Sequence, residues 1–145
     1  GAYGAFQLMP SVARAQGLIV NKTKDERKDF EKSATAAAKL IKNICIPEAK
    51  KILKAHELQY SENDLWFRFL VLHIYHAGAG NVAAVLKVIN PEKGSQELIK
   101  SMWQNKAAGF GNCSQNYSQL AIASQLILHE MVYSNCEDVI SYSSR

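Results

Sequence analysis

The sequence predicts an all-α fold. Three observations carry that prediction: apolar residues recur at steps of three and four through most of the chain, no segment alternates apolar and polar residues as a half-buried strand would, and Pro, Gly and capping residues fall at helix-length intervals. At 145 residues the chain suits one domain, 1–145, because that length buries a continuous core and falls short of what usually divides in two. No internal repeat, low-complexity tract or linker interrupts it.

The opening Gly1-Ala2-Tyr3-Gly4-Ala5-Phe6-Gln7-Leu8-Met9-Pro10 is punctuated by glycine and leads into a short helix, Ser11 to Gln16, that Gly17 ends in a left-handed cap. After a loop rich in Asn and Lys, Asp29 caps a helix on which Phe30, Ala34, Ala37, Ile41 and Ile44 form one buried stripe. Pro47 breaks this helix and seats in the first turn of the next, Glu48 to Leu58, where Ile52, Leu53 and Ala55 are available for packing. Ser61 or Asn63 caps the segment Asp64 to His76. Its Leu65, Phe67, Phe69, Leu70, Val71, Leu72 and Ile74 wrap more than one face, which places this helix at the centre of the domain.

Ala77 to Asn81 reads as a turn, and Val82 to Ile89 as a short helix stopped by Asn90 and Pro91. Ser95 caps a further helix through Trp103, and a glycine-rich loop surrounds Gly109 and Gly111. The last long helix runs from Tyr117 to Tyr133, with Leu120, Ala123, Ile127 and Met131 in register.

Charge and cysteine narrow the function classes. The net charge is +4, with part of the excess in Lys22, Lys24, Arg27, Lys28 and Lys32, a run that reads as a solvated face. A nucleic-acid surface interleaves basic residues with aromatics, whereas Phe30 is the only aromatic between Leu18 and Lys42, so nucleic acid is not the expected partner. Cys45, Cys113 and Cys136 leave at least one thiol unpaired within a monomer, and their spacing fits no zinc or redox motif. The longest apolar run, around Leu65 to Tyr75, is interrupted by Arg68 and is too short to cross a bilayer. Nothing at the N-terminus resembles a signal peptide, so an export signal or anchor is expected upstream.

Two glycine-containing motifs, Gly4-x-x-Gln7-Leu8-Met9-Pro10 and Tyr75-His76-Ala77-Gly78-x-Gly80-Asn81-Val82, lie on separate segments, and Tyr117 follows much later at the start of the last helix. This order resembles the lytic transglycosylase family, which shares the goose-type lysozyme fold, and within it the catalytic domain of membrane-bound lytic murein transglycosylase D. The resemblance covers nearly the whole chain and implies a lysozyme-like helical domain lacking its first helix. The family usually reads Gly-x-x-Gln, two apolar residues, Pro and a small polar residue, as Gly4 to Ser11 does. It normally has Tyr-Asn-Ala-Gly, where this chain has His76 for Asn, and a Glu four positions before the later tyrosine, where this chain has Cys113. The stretch Asn43 to Asn63 looks like an expansion of a shorter family segment.

By the resemblance, the chain acts on peptidoglycan, cleaving the link between N-acetylmuramic acid and N-acetylglucosamine with formation of a 1,6-anhydro sugar. The family is understood to use one glutamate, acid and then base toward the sugar's own 6-hydroxyl, upstream of the Gly-x-x-Gln motif. Here no acidic residue precedes Asp25. The resemblance therefore implies that the acid lies upstream of Gly1, that the domain is N-terminally truncated, and that residues 1–145 alone cut poorly. Among other carboxylates, Glu31, Glu62, Asp64 and Glu130 are far in sequence from the first motif and are not expected to replace it.

The remaining matched residues suit a sugar groove. Gln7 offers a carboxamide and Met9 an adaptable apolar wall. Tyr75 and Tyr117 would flank the linkage with ring faces and hydroxyls, His76 would line the groove, and Ala77 and Gly78 leave room for glycan to approach the backbone. Singly, each has an ordinary reading: Gln7 satisfying backbone groups, Met9 and Tyr75 as core, Gly78 and Gly80 as a helix cap. His73 and His76 sit three apart on one helical face without a third ligand nearby, and His129 with Glu130 lacks the second histidine of a zinc hydrolase motif, so neither a metal nor any other cofactor is expected. The expected partner is the glycan strand of peptidoglycan, met as a monomer in the periplasm or cell envelope. Two alternatives stay open: a non-catalytic glycan-binding domain, for which His76 and Cys113 at motif positions speak, and lysozyme-like hydrolysis on the same fold.

Overall fold

The computed structural model describes the backbone of residues 1–142 and the side chains of residues 1–133. Its helices are α1 (Pro10–Ala15), α2 (Phe30–Leu40), α3 (Ile46–Ala55), α4 (Leu65–Ala77), α5 (Ala79–Ile89), α6 (Gln96–Gln104), α7 (Asn112–Gln115) and α8 (Tyr117–Tyr142). Among the described residues there is no strand; isolated antiparallel bridges, Tyr3 to Leu8, Val20 to Asp25 and Ala107 to Phe110, pin three loops.

The apolar character of α4 on several sides has the expected consequence. Trp66, Phe67, Phe69, Leu70, Val71, His73 and Ile74 are buried on it, and α3, α5, α6, α7 and α8 all pack against it. Each fully buried Leu or Phe contributes roughly 1.5–3 kcal/mol, so Phe67 and Leu70 alone anchor much of this contact. A second, smaller cluster of Leu8, Ala13, Leu18 and Ala36 lies under the N-terminal loop. Leu40 and Tyr75 pack against both clusters.

Several expectations are corrected. Pro47 does not break the helix. The chain passes from α2 into a π-helical turn, Ile41–Cys45, in which the Ile46 N–H donates back to Ile41 O, and α3 begins at once with Pro47 in its first turn. The extra residue of the wide turn shifts the register where the proline ring and its missing N–H would disrupt an α-helix, so helical backbone continues from Phe30 to Ala55. The buried face of α2 is Ser33, Ala36 and Ala37, while Phe30 and Ile44 are exposed. Phe30 instead packs on the ring of Phe6, centroids 5.3 Å apart, at the surface.

The turn between α4 and α5 is one residue, Gly78, and both Gly80 and Asn81 are helical. Asp64, rather than Ser61 or Asn63, occupies the cap position of α4, its Oδ2 accepting from the Ser61 N–H at 2.9 Å. The helix α8 runs past Tyr133 to Tyr142, and of the residues in register on it, Leu120, Ile127 and Met131 are exposed.

Candidate functional site

The Gly4-to-Met9 motif is a tight loop held from below. Tyr3 N–H donates to Leu8 O and Gln7 N–H to Gly4 O, both at 3.2 Å, and Leu8 is buried as the loop's apolar anchor. Gly4 has φ +79°, and a Cβ there would lie 2.2 Å from the carbonyl oxygen of Arg27, so this backbone approach admits glycine alone. Gln7 also takes a left-handed backbone, φ +49°, and its Nε2 folds back to donate to Gly4 O at 2.7 Å. That leaves its carboxamide oxygen as the group it presents outward. Met9 is half-exposed at the start of α1.

Arg27, read from sequence as part of a solvated basic run, is buried and organises this loop. Its Nη1 donates to Gly1 O at 2.8 Å and to Leu8 O at 3.0 Å, while Nε and Nη2 grip the Asp25 carboxylate at 2.9 and 2.7 Å. Its guanidinium also lies 5.5 Å from the centre of the Tyr3 ring. A buried guanidinium is tolerated here because a carboxylate and two carbonyls satisfy it.

The second motif meets the first through Tyr75. Its Oη donates to Phe6 O at 2.5 Å, tying the end of α4 to the loop. Burial, with Tyr117 and Cys45 nearby, pushes the Tyr75 phenol up to about 12, so it stays a neutral donor. Gly78 then reverses the chain with φ +84° and ψ 150°, a region essentially confined to glycine, and nothing lies within 4 Å of where a Cβ would stand. Asn81 locks the far side: Nδ2 donates to Ala77 O at 2.8 Å, and Oδ1 accepts the Gly109 N–H at 2.9 Å.

Tyr117 completes the junction. The exposed His76 ring stacks on it, centroids 4.3 Å apart and 14° from parallel, and burial raises the Tyr117 phenol and lowers the His76 imidazole. Beneath them His73 is fully buried between Phe110 and Tyr117, with neither ring nitrogen hydrogen-bonded. Desolvation pushes it down to about 4, the Ser114 backbone acting in the opposite sense. Cys113 is an exposed free thiol on α7, Cys45 is buried with its thiol pushed up to about 11 by desolvation, and the side chain of Cys136 lies outside the described residues.

A family model described as Transglycosylase SLT domain matches residues 1–99, which include both glycine motifs. The chain belongs to the transglycosylase SLT family. Family membership carries with it a lysozyme-like all-α fold and action on peptidoglycan of the lytic transglycosylase type. Comparison with curated proteins and with solved structures returned no match. Tyr117 lies beyond the matched segment, joined to it here through the His76 stack.

The SLT chain thus brings the Phe6 carbonyl next to Gln7, Tyr75, His76 and Tyr117 into one chain of contacts, with Ala77 and Gly78 at its edge. Sequence reasoning missed Arg27 and gave Asn81 no role. Arg27 was hidden in a basic run, and its partners at Gly1 and Leu8 are far away in sequence; Asn81 stood in the motif, but Gly109 as its partner did not. The Asp25, Glu26, Glu62 and Asp64 carboxylates are engaged away from this junction. Arg27 holds Asp25 below its ordinary range, and Lys32, the Ile19 N–H and Lys24 push Glu26 down to about 2. Glu62 pairs with Lys50, Asp64 accepts from the Ser61 N–H, and Glu31 lines a separate cavity of about 350 Å³ with Gln16, Lys32 and Lys39. Among the described residues no group of three or more His, Cys, Asp or Glu side chains could hold a metal ion. What the junction offers chemically is therefore ring faces, a carboxamide oxygen, and backbone groups.

Proposed function

We propose that this SLT domain grips the glycan strand of peptidoglycan across the Gln7, Met9, Tyr75, His76, Ala77, Gly78 and Tyr117 face, and that its complete form cleaves the link between N-acetylmuramic acid and N-acetylglucosamine to leave a 1,6-anhydro sugar. The observation that carries the reading is the bond from Tyr75 Oη to Phe6 O together with the stack of His76 on Tyr117, since these join residues far apart in sequence. Delivering a proton to a glycosidic oxygen needs a carboxylic acid with a raised pKa, and Asp25 and Glu26 are shifted the opposite way. On this reading, and as the family resemblance implies, the proton donor is a glutamate on a helix preceding the Gly4 loop. A periplasmic or envelope location follows from the substrate.

The test is to incubate purified murein with residues 1–145 and with a version extended upstream, then look for anhydromuropeptides by mass spectrometry. Product from the extended chain and little from the short one is expected. Abundant anhydro product from the short chain overturns the assignment of the acid, and hydrolysed ends in place of anhydro ends overturn the reaction. His76 and Cys113 at motif positions favour a second reading, a domain that binds glycan without cutting it; murein binding with no product from either version would establish that one.

A further inference from the structure

A second surface of the molecule has the chemistry of a sugar site. Where α6 ends and α7 begins, Trp103, Gln104, Asn112, Gln115 and Asn116 line a cavity of about 290 Å³. That volume sits at the lower edge of the range of small-molecule sites, about 300–1,000 Å³, which suits one ring rather than a chain. Trp103 is about half-exposed, 47 %, whereas the chain's other tryptophan, Trp66, is 6 % exposed in the core. An indole left in water costs apolar burial that the fold could have gained, and here it is held rather than loose. Its Nε1 donates to Asn116 Oδ1 at 2.9 Å, and its carbonyl oxygen accepts from Gln115 Nε2 at 2.7 Å. Asn116 is fixed in turn by donating to Asn112 O and Oδ1, at 3.1 and 3.2 Å.

These bonds leave a specific set of groups over. Gln115 Oε1, Asn112 Nδ2 and both ends of the Gln104 carboxamide make no hydrogen bond with any described residue. An acetamido group needs one acceptor for its N–H and one donor for its carbonyl, and a pyranose presents a face of C–H bonds that packs on an indole. The cavity also lies beside the junction described above, because Asn116 immediately precedes Tyr117.

We propose that this cavity is a distal subsite for a single N-acetylhexosamine residue of the same glycan, with Trp103 as the platform and Gln115, Asn112 and Gln104 reading the acetamido group. The proposal rests on the reading of the Tyr75 and Tyr117 face as a glycan surface. Its consequence is a length dependence: an oligomer long enough to reach both surfaces gains affinity that a short one does not.

Isothermal titration with β-1,4-linked N-acetylglucosamine oligomers of two and six residues tests this, alongside sedimentation with purified murein. In the wild-type chain the hexamer binds more tightly than the dimer. Trp103→Ala is expected to weaken the hexamer by about tenfold, the loss of one aromatic anchor, and to leave the dimer unchanged. Gln104→Ala, whose side chain holds nothing in the fold, lowers hexamer affinity in the same sense and serves if Trp103→Ala melts early. Hexamer binding that is indifferent to both variants, with murein binding still sensitive to Tyr117→Ala, overturns the subsite and spares the main face. Hexamer binding that depends on Trp103 but not on Tyr117 supports the subsite and overturns the main face. No binding of murein or hexamer by the wild-type chain overturns both.

Discussion

Replacing Gly4 by alanine is the sharpest perturbation of the N-terminal loop, because two separable costs meet there. The left-handed backbone, φ +79°, costs an L-residue about 1–2 kcal/mol. The new Cβ would stand 2.2 Å from Arg27 O, and ordinary contact begins at 3.4 Å, so the loop and the Arg27 backbone have to separate by 3.4 − 2.2 = 1.2 Å. Overpacking of that kind costs roughly 1–3 kcal/mol, for a total of about 2–5 kcal/mol. Gly17 supplies the control. It has φ +95° with nothing within 4 Å of a Cβ, so Gly17→Ala carries the backbone cost alone, about 1–2 kcal/mol. Denaturant unfolding of the two variants then isolates the clash as their difference, about 1–3 kcal/mol. Because the displaced loop carries Gln7 and Met9, Gly4→Ala should also lose murein binding that Gly17→Ala keeps. Equal destabilisation within about 0.5 kcal/mol, with binding intact in both, refutes the close approach of Gly4 to Arg27.

Other perturbations follow from the same geometry. Gly78→Ala should destabilise by about 1–3 kcal/mol through backbone strain alone, with no steric partner; a neutral result in chemical denaturation would contradict the conformation of the α4–α5 break. Asn81→Ala removes both bonds that hold Ala77 and Gly109 and should cost about 1–3 kcal/mol, with hydrogen exchange rising at the Gly109 amide. Tyr75→Phe removes one hydrogen bond, about 0.5–1.5 kcal/mol, and should speed proteolysis within residues 1–9 while α4 stays protected. His73 gives a pH signature: its folded value near 4 lies below the unfolded 6.5, so the unfolded chain binds a proton that the folded one refuses. Stability is full above about pH 6.5 and falls by about 3 kcal/mol as pH drops to 4; His73→Leu should flatten that window, and an unchanged slope would refute the burial of a neutral imidazole.

The sequence made α4 legible because no polar face interrupts its apolar residues, and a helix with that pattern has to be surrounded. Gly4 and Gly78 were legible as punctuation, and their φ values give the reason. Other features depended on partners that no local pattern names. The stripe on α8 is periodic, but periodicity does not say what covers it, and the described residues leave it open. Phe30 was counted as core on its apolarity, and it found Phe6 at the surface instead. Pro47 was read by the rule for a regular α-helix, and the wide turn before it is the irregularity that rule omits. Of the candidate site, sequence supplied the residues on the face; the buttress behind it, Arg27 on Gly1 and Leu8, is long-range hydrogen bonding and has no periodic signature.

Leu40 and Tyr75 each touch both apolar clusters, so the smaller one cannot melt without stripping cover from the larger. The two clusters are thereby coupled through shared side chains, and the loop that carries Gln7 and Met9 is tied through them to the interior. Its backbone freedom is surrendered during folding, before any sugar arrives. On the proposed reading, a glycan strand meets a loop already ordered by folding, which lowers the entropic cost of docking.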